Sequence, residues 1–172
     1  MRFVYLLLLI LFPLLADCRI SNPADTGKIL SSIRRDYKNC NDSLSFFTKK
    51  ELTFFEESTE GSLLEAYYFK SELRKIVVTT RGETGKAVCE YYLDNSRLIF
   101  SFYYLDQYDR PFYKKNQKRV KKTENRFYFN DEKLLRWIDD KGKRRGITTT
   151  DFQTQEKSVL DDFKEYKEKL TK

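Results

Sequence analysis

Three stretches of this chain can be laid over one another without a gap: EAYYFKSELRKI from Glu65, EYYLDNSRLIFS from Glu90 and RFYFNDEKLLRW from Arg126. Each has an aromatic run, a short polar break and a second apolar run. Aromatic and branched residues favour strands, and a polar break between two such runs favours a turn. A chain that repeats this three times is a series of β-hairpins. In the first, Leu63 to Tyr68 pairs with Leu73 to Thr80 across Phe69 to Glu72. In the second, Lys86 to Leu93 pairs with Arg97 to Tyr104 across Asp94, Asn95 and Ser96. In the third, Asn125 to Phe129 pairs with Leu134 to Asp139 across Asn130 to Lys133. The copies start 25 and then 36 residues apart, so about eleven residues are inserted before the last.

An earlier apolar run, Lys50 to Glu56, predicts one more strand. Helices bracket these strands. Ile29, Leu30, Ile33, Tyr37 and Cys40 recur at helical spacing, so a helix is expected from about Lys28, capped by Asp25 or Thr26, to the region of Asn39 to Asp42. Val159, Leu160, Phe163, Tyr166 and Leu170 form a second stripe, within a helix from about Asp151 to Leu170 capped by Thr150 or Asp151. The expected fold class is therefore α+β: an antiparallel β-meander of about 6–7 strands flanked by an N-terminal and a C-terminal helix. Alternation places Leu98, Phe100 and Phe102 on one face, with Ile99 and Tyr103 on the other. Both faces carry apolar groups, which predicts one face covered by helices and the other aromatic and partly exposed.

Residues 1–17 read as a signal peptide. Arg2 precedes twelve residues of apolar character, Val4 to Leu15, a length that suits a leader and is too short to span a bilayer. Residues 18–27 read as a tether and 28–172 as a single α+β domain. Leu15 and Ala16 before Cys18 resemble a bacterial lipoprotein signal, which implies lipid attachment at Cys18; Asp17 departs from that pattern. Cleavage after Ala16 is the alternative. Export implies an oxidising compartment. If Cys18 is lipidated, Cys40 and Cys89 remain as an even pair and a disulfide between them is expected, with unbridged thiols or a Cys18–Cys40 bridge as alternatives.

The chain contains no histidine. That excludes Ser-His-Asp and Cys-His catalysis and histidine-ligated metals, so neither a metal nor a cofactor is expected. Catalysis by carboxylates, lysine or tyrosine stays open. The net charge is +7, with 33 basic and 26 acidic residues interspersed, as on an ordinary solvated surface with a basic bias. The basic residues concentrate in the insert before the third hairpin. There Tyr108, Phe112 and Tyr113 precede Lys114, Lys115, Lys118 and Arg119, with Lys121 and Lys122 beyond. Aromatics beside cations can bind a polyanion or a sugar polymer, and lysines at a sheet edge also deter edge pairing. Export argues against intracellular nucleic acid and for a protein or an anionic envelope polymer. The membrane is reached only through an N-terminal lipid.

The stretch from Ser62 to Asp140, with its Tyr-Tyr and Tyr-Phe hairpins and its Leu-Arg-Lys-Ile and Leu-Leu-Arg-Trp strands, resembles a group of uncharacterised exported bacterial proteins, candidate lipoproteins. More distantly it is similar to MORN-like repeats. The resemblance implies a leader, a helix and a meander without an established activity, and it assigns no catalytic residue. The expected function is therefore a non-enzymatic binding protein of the bacterial envelope, periplasmic or outer-envelope in location. An inhibitor of a secreted enzyme such as a wall hydrolase is the second reading, and a carboxylate-based hydrolase the third.

Overall fold

A computed structural model describes residues 23–171 except 57 and 59. The expected leader, Cys18 and its expected lipid attachment lie outside the described residues.

Helix α1 (Pro23–Asp42) is followed by a 3-10 turn, Leu44–Phe46, and then by seven strands: β1 (Thr48–Phe54), β2 (Ser62–Phe69), β3 (Glu72–Gly82), β4 (Gly85–Asp94), β5 (Arg97–Tyr108), β6 (Arg119–Asn130) and β7 (Lys133–Ile138). Helix α2 (Thr150–Lys169) closes the chain. The strands form one antiparallel sheet in chain order, β1-β2-β3-β4-β5-β6-β7. The expected meander between two helices is therefore observed.

The three sequence copies are structural copies. Lys70 and Ser71, Asn95 and Ser96, and Asp131 and Glu132 all have positive φ, so each hairpin turns on two left-handed residues, as in type I′ turns. After each turn the returning strand carries a bulge at the same position. Tyr67 faces Lys75 while Tyr68 faces Leu73. Tyr92 faces Phe100 while Leu93 faces Leu98, and Tyr128 faces Arg136 while Phe129 faces Leu134. Arg74, Ile99 and Leu135 are the extra residues.

One inserted residue flips every later side chain to the opposite face. This corrects the expected alternation in β5. Leu98 and Tyr103 pack with one apolar layer, whereas Ile99, Phe100 and Phe102 pack with the other. The repeat thus sorts its residues. Leu73, Leu98 and Leu134 serve the layer beneath α2, and Tyr92 and Tyr128 the layer beneath α1.

The helices lie on opposite faces, so the expectation of one helix-covered and one open face is corrected. Under α2, Phe152, Val159, Phe163 and Tyr166 pack on Phe54, Leu64, Ile76, Tyr91, Leu93 and Phe129. The rings of Tyr91 and Phe163 are 5.8 Å apart. On the other face Leu30, Ile33 and Cys40 pack on Tyr92, Phe100 and Tyr128. That second layer is much the smaller.

Several boundaries move. Helix α1 begins at Pro23, so residues 23–27, read as tether, form its start; proline is tolerated in a first turn because that N–H has no helical partner. The cap of α2 is Thr149, whose hydroxyl accepts from Phe152 N at 3.3 Å, rather than Thr150 or Asp151. Strand β1 lies slightly earlier than expected.

No disulfide joins Cys40 and Cys89, contrary to the expected bridge. Cys40 sits in the layer under α1 and Cys89 packs against the layer under α2. The sheet separates them, and a disulfide requires Cβ atoms about 4 Å apart.

Candidate functional site

The face that carries α1 is only partly covered, and the register shows what is left open. One line of directly opposed residues crosses all seven strands: Lys49, Tyr67, Lys75, Tyr92, Phe100, Tyr128 and Arg136. Helix α1 lies over its middle. The Tyr37 ring is 4.8 Å from Tyr92 and 5.4 Å from Phe100, and Phe100 is 4.9 Å from Tyr128. The next line, Glu51, Glu65, Val77, Glu90, Phe102, Arg126 and Ile138, lies beside the helix and stays half-buried or exposed. Its acids fall on β1, β2 and β4 and its arginine on β6.

A buried polar cluster ends the helical cover. Lys75, 5 % exposed, donates to Asn41 Oδ1 at 3.0 Å, pairs with Glu90 at 3.2 Å and lies 4.7 Å from the centre of the Tyr92 ring. The Tyr92 hydroxyl donates to Glu90 and lies 3.1 Å from Asn41 Oδ1. Burial, then the Glu90 charge, pushes the Tyr92 hydroxyl well above the ordinary tyrosine range. Every charge here has a partner, so the cluster locks the end of α1 onto β3 and β4. Asn41, the acceptor position of an Asn-Asp-Ser glycosylation pattern, is engaged on both amide atoms, because its Nδ2 donates to Tyr37 O at 3.0 Å.

Beside α1 runs a groove of about 240 Å³ lined by Ile33, Arg34, Tyr37, Phe100, Phe102, Arg126 and Tyr128. Sequence reasoning missed it. Its residues come from α1, β5 and β6, and no local pattern joins them.

Much of the insert is strand. Its flanks extend β5 to Tyr108 and start β6 at Arg119, leaving residues 109–118 as the connection. That connection is tied down by backbone bonds: Tyr108 N to Thr84 O and Phe112 N to Glu83 O at 2.9 Å, and Asp109 N to Lys118 O at 3.0 Å. The Tyr113 hydroxyl donates to Glu83 at 2.9 Å, and Asp109 accepts from Lys118 N at 2.9 Å. The hairpin tip therefore leans on the β3–β4 turn.

The sequence-predicted residues separate into groups. Tyr108 and Phe112 come together on a cavity of about 250 Å³ with Glu60, Arg81, Lys86 and Gln117. Gln117 Nε2, on that wall, is a buried donor without a hydrogen-bond partner among the described residues. Tyr113 is exposed, and Lys114 stands 5.6 Å from its ring centre. Lys115 and Lys118 are exposed. Arg119 is also exposed but is engaged within the fold: it pairs with the buried Asp106 at 3.2 Å, and Asp106 also accepts from the Tyr104 hydroxyl. Burial pushes the Asp106 carboxyl up, but Tyr104, Arg119 and Lys122 outweigh it and hold it below the ordinary range.

Among the described residues no cluster of cysteine and carboxylate groups could hold a metal, and no helix is long and apolar enough to cross a membrane. The shifted carboxylates Glu56, Asp106, Asp109, Glu124 and Asp139 are all held below their ordinary values by donors or cations. A general acid needs the opposite shift. A scan against protein-family models, a search of curated proteins and a search of solved structures each found no match to the chain.

Proposed function

We propose that this chain is an exported, non-enzymatic binding domain of the bacterial envelope, tethered through Cys18 where that residue is lipidated. It takes a protein or an anionic envelope polymer on the tip of the β5–β6 hairpin. The observation that carries the reading is the composition of that tip. Phe112 and Tyr113 are 58 % and 62 % exposed, beside Lys114, Lys115 and Lys118, on a connection anchored to the β3–β4 turn. Exposed rings on an ordered support lose little conformational freedom on binding, and neighbouring cations add attraction for an anion. The lack of histidine and the depressed carboxylates support a binding rather than a catalytic role.

The test is co-sedimentation of the exported protein with envelope fractions, comparing the parent with a Lys114→Ser, Lys115→Ser, Lys118→Ser variant. Arg119 is left in place because it neutralises Asp106. Binding should fall about tenfold or more and weaken with salt. Unchanged binding removes the tip from this role.

The anchored tip also favours the second reading, an inhibitor that presents the loop to a secreted enzyme. Resistance of the Lys114–Lys115 bond to trypsin in the folded protein supports it, and rapid cleavage there argues against it.

A further inference from the structure

We infer that the groove between α1 and strands β5 and β6 binds a small organic anion. Its aromatic or short acyl body would lie on Phe100, Phe102 and Tyr128, with its charge facing Arg34, Arg126 and Arg136.

The groove is built for two kinds of contact. Its floor and near wall are apolar: Phe100, Phe102, Tyr128, Ile33 and Tyr37. Its volume of about 240 Å³ is below the roughly 300–1,000 Å³ of sites that enclose drug-sized ligands, so one ring or a short chain fills it. Its polar wall is entirely cationic, with Arg34 from α1 and Arg126 from β6. Two more arginines extend this wall. Arg136 stands directly opposite Tyr128, and Arg144 bridges to Ile138, the residue opposite Arg126.

The charges of this cluster are not balanced within the fold. Arg126 shares Glu124 with Lys122 and lies 5.3 Å from the centre of the Phe102 ring. Among the described residues Arg34, Arg136 and Arg144 have neither an ion pair nor a side-chain hydrogen bond with a carboxylate. The guanidinium of Arg136 is held below its ordinary value, first by burial and then by the charges of Arg144 and Arg34. Gathering cations beside a half-buried aromatic floor costs free energy unless an anion joins them. Guanidinium groups suit that task, since each presents a planar fork to a carboxylate, sulfonate or phosphate. Glu124 is the one acid of this face that reaches the cluster among the described residues; Glu65 pairs with Lys49 and Glu90 with Lys75, nearer the β1 end of the same face.

This site is separate from the hairpin tip and does not depend on the envelope-binding reading. It is tested by titrating the full chain with anilinonaphthalene sulfonate, an aromatic anion, and following probe fluorescence. Saturable binding at one site is expected. Arg34→Gln and Arg126→Gln should each raise Kd about tenfold, as expected for loss of a hydrogen bond to a charged group. Lys38→Gln, on α1 but outside the groove, should leave Kd unchanged. The neutral analogue phenylnaphthylamine should bind at least about tenfold more weakly, for want of the charged group. Arg34 is exposed and outside the packed layer, so its replacement leaves the fold intact, which circular dichroism checks. Equal binding by the double arginine variant, equal binding of the neutral probe, or no saturable binding would each overturn the site. Replacing Lys114, Lys115 and Lys118 should leave probe binding intact, which separates this test from that of the hairpin tip.

Discussion

At the scale of single residues, Asp106 and Asp139 show how this surface organises its charge. Asp106 is buried beneath Arg119 and Tyr104, and Asp139 accepts from the backbone N–H groups of Lys141 and Lys143 at 3.0 and 2.9 Å. Both carboxyls are held below the ordinary range. A depressed folded value means the ionised form stabilises the fold, and this contribution is complete above the unfolded value of about 3.9. It is lost as pH falls through the folded value. The melting temperature of the parent should therefore exceed that of Asp106→Asn at neutral pH, and the gap should close as pH falls below about 4. A gap that does not change with pH would show that the Asp106 charge contributes nothing. Asp106 lies in sequence among ordinary strand residues. Its partner Arg119 follows thirteen positions later across a turn, so only pairing the strands reveals the contact.

At the scale of elements, the hairpin is the unit. Each copy turns on two residues with positive φ, and none of the six is glycine. A left-handed residue other than glycine costs roughly 1–2 kcal/mol, and asparagine and aspartate bear it best. Asn95 and Asp131 fit this rule; Lys70, Ser71, Ser96 and Glu132 fit it less well. Ser96→Gly should therefore raise stability by up to about 1 kcal/mol in urea unfolding, once glycine's greater unfolded-state entropy is subtracted. Asn95→Val should lower it by about 1 kcal/mol or more, because a β-branched side chain resists positive φ. The reverse order would place the strain elsewhere. The hairpins were legible because strand and turn preferences act within about ten residues. The bulges at Arg74, Ile99 and Leu135 were not, since only the pairing of two strands shows an extra residue in one of them.

At the scale of the molecule, the sheet is a partition. Cys40 and Cys89 form an even pair in sequence, yet they lie on opposite sides of it. Peptide mapping of the unreduced protein should yield their peptides unlinked, whatever Cys18 does, and recovery of a Cys40–Cys89 linked peptide would contradict the fold. Burial also pushes the Cys40 thiol up from its ordinary value. Iodoacetamide near pH 8 should therefore label Cys40 slowly until the protein unfolds, because the thiolate is the reactive form. The same partition determines where ligands can bind. The α2 face carries the larger apolar layer, while α1 leaves one side of its face open and creates the groove.

The sequence by itself determined the number and order of the hairpins, the two helical stripes and the exclusion of histidine chemistry. These depend on residues near one another along the chain: aromatic and polar alternation, helical spacing, and composition. It also placed Tyr108, Phe112, Tyr113 and the following lysines in one insert. Tertiary structure decided the rest. It placed the helices on opposite faces, paired Arg119 with the buried Asp106 while leaving Lys114 and Lys115 outside, and set Arg34 beside Arg126 and Arg136. Those outcomes depend on register and on which face each helix covers. Pairing one position later would invert the faces of a strand without altering its composition, so no local pattern in the chain could have specified the groove.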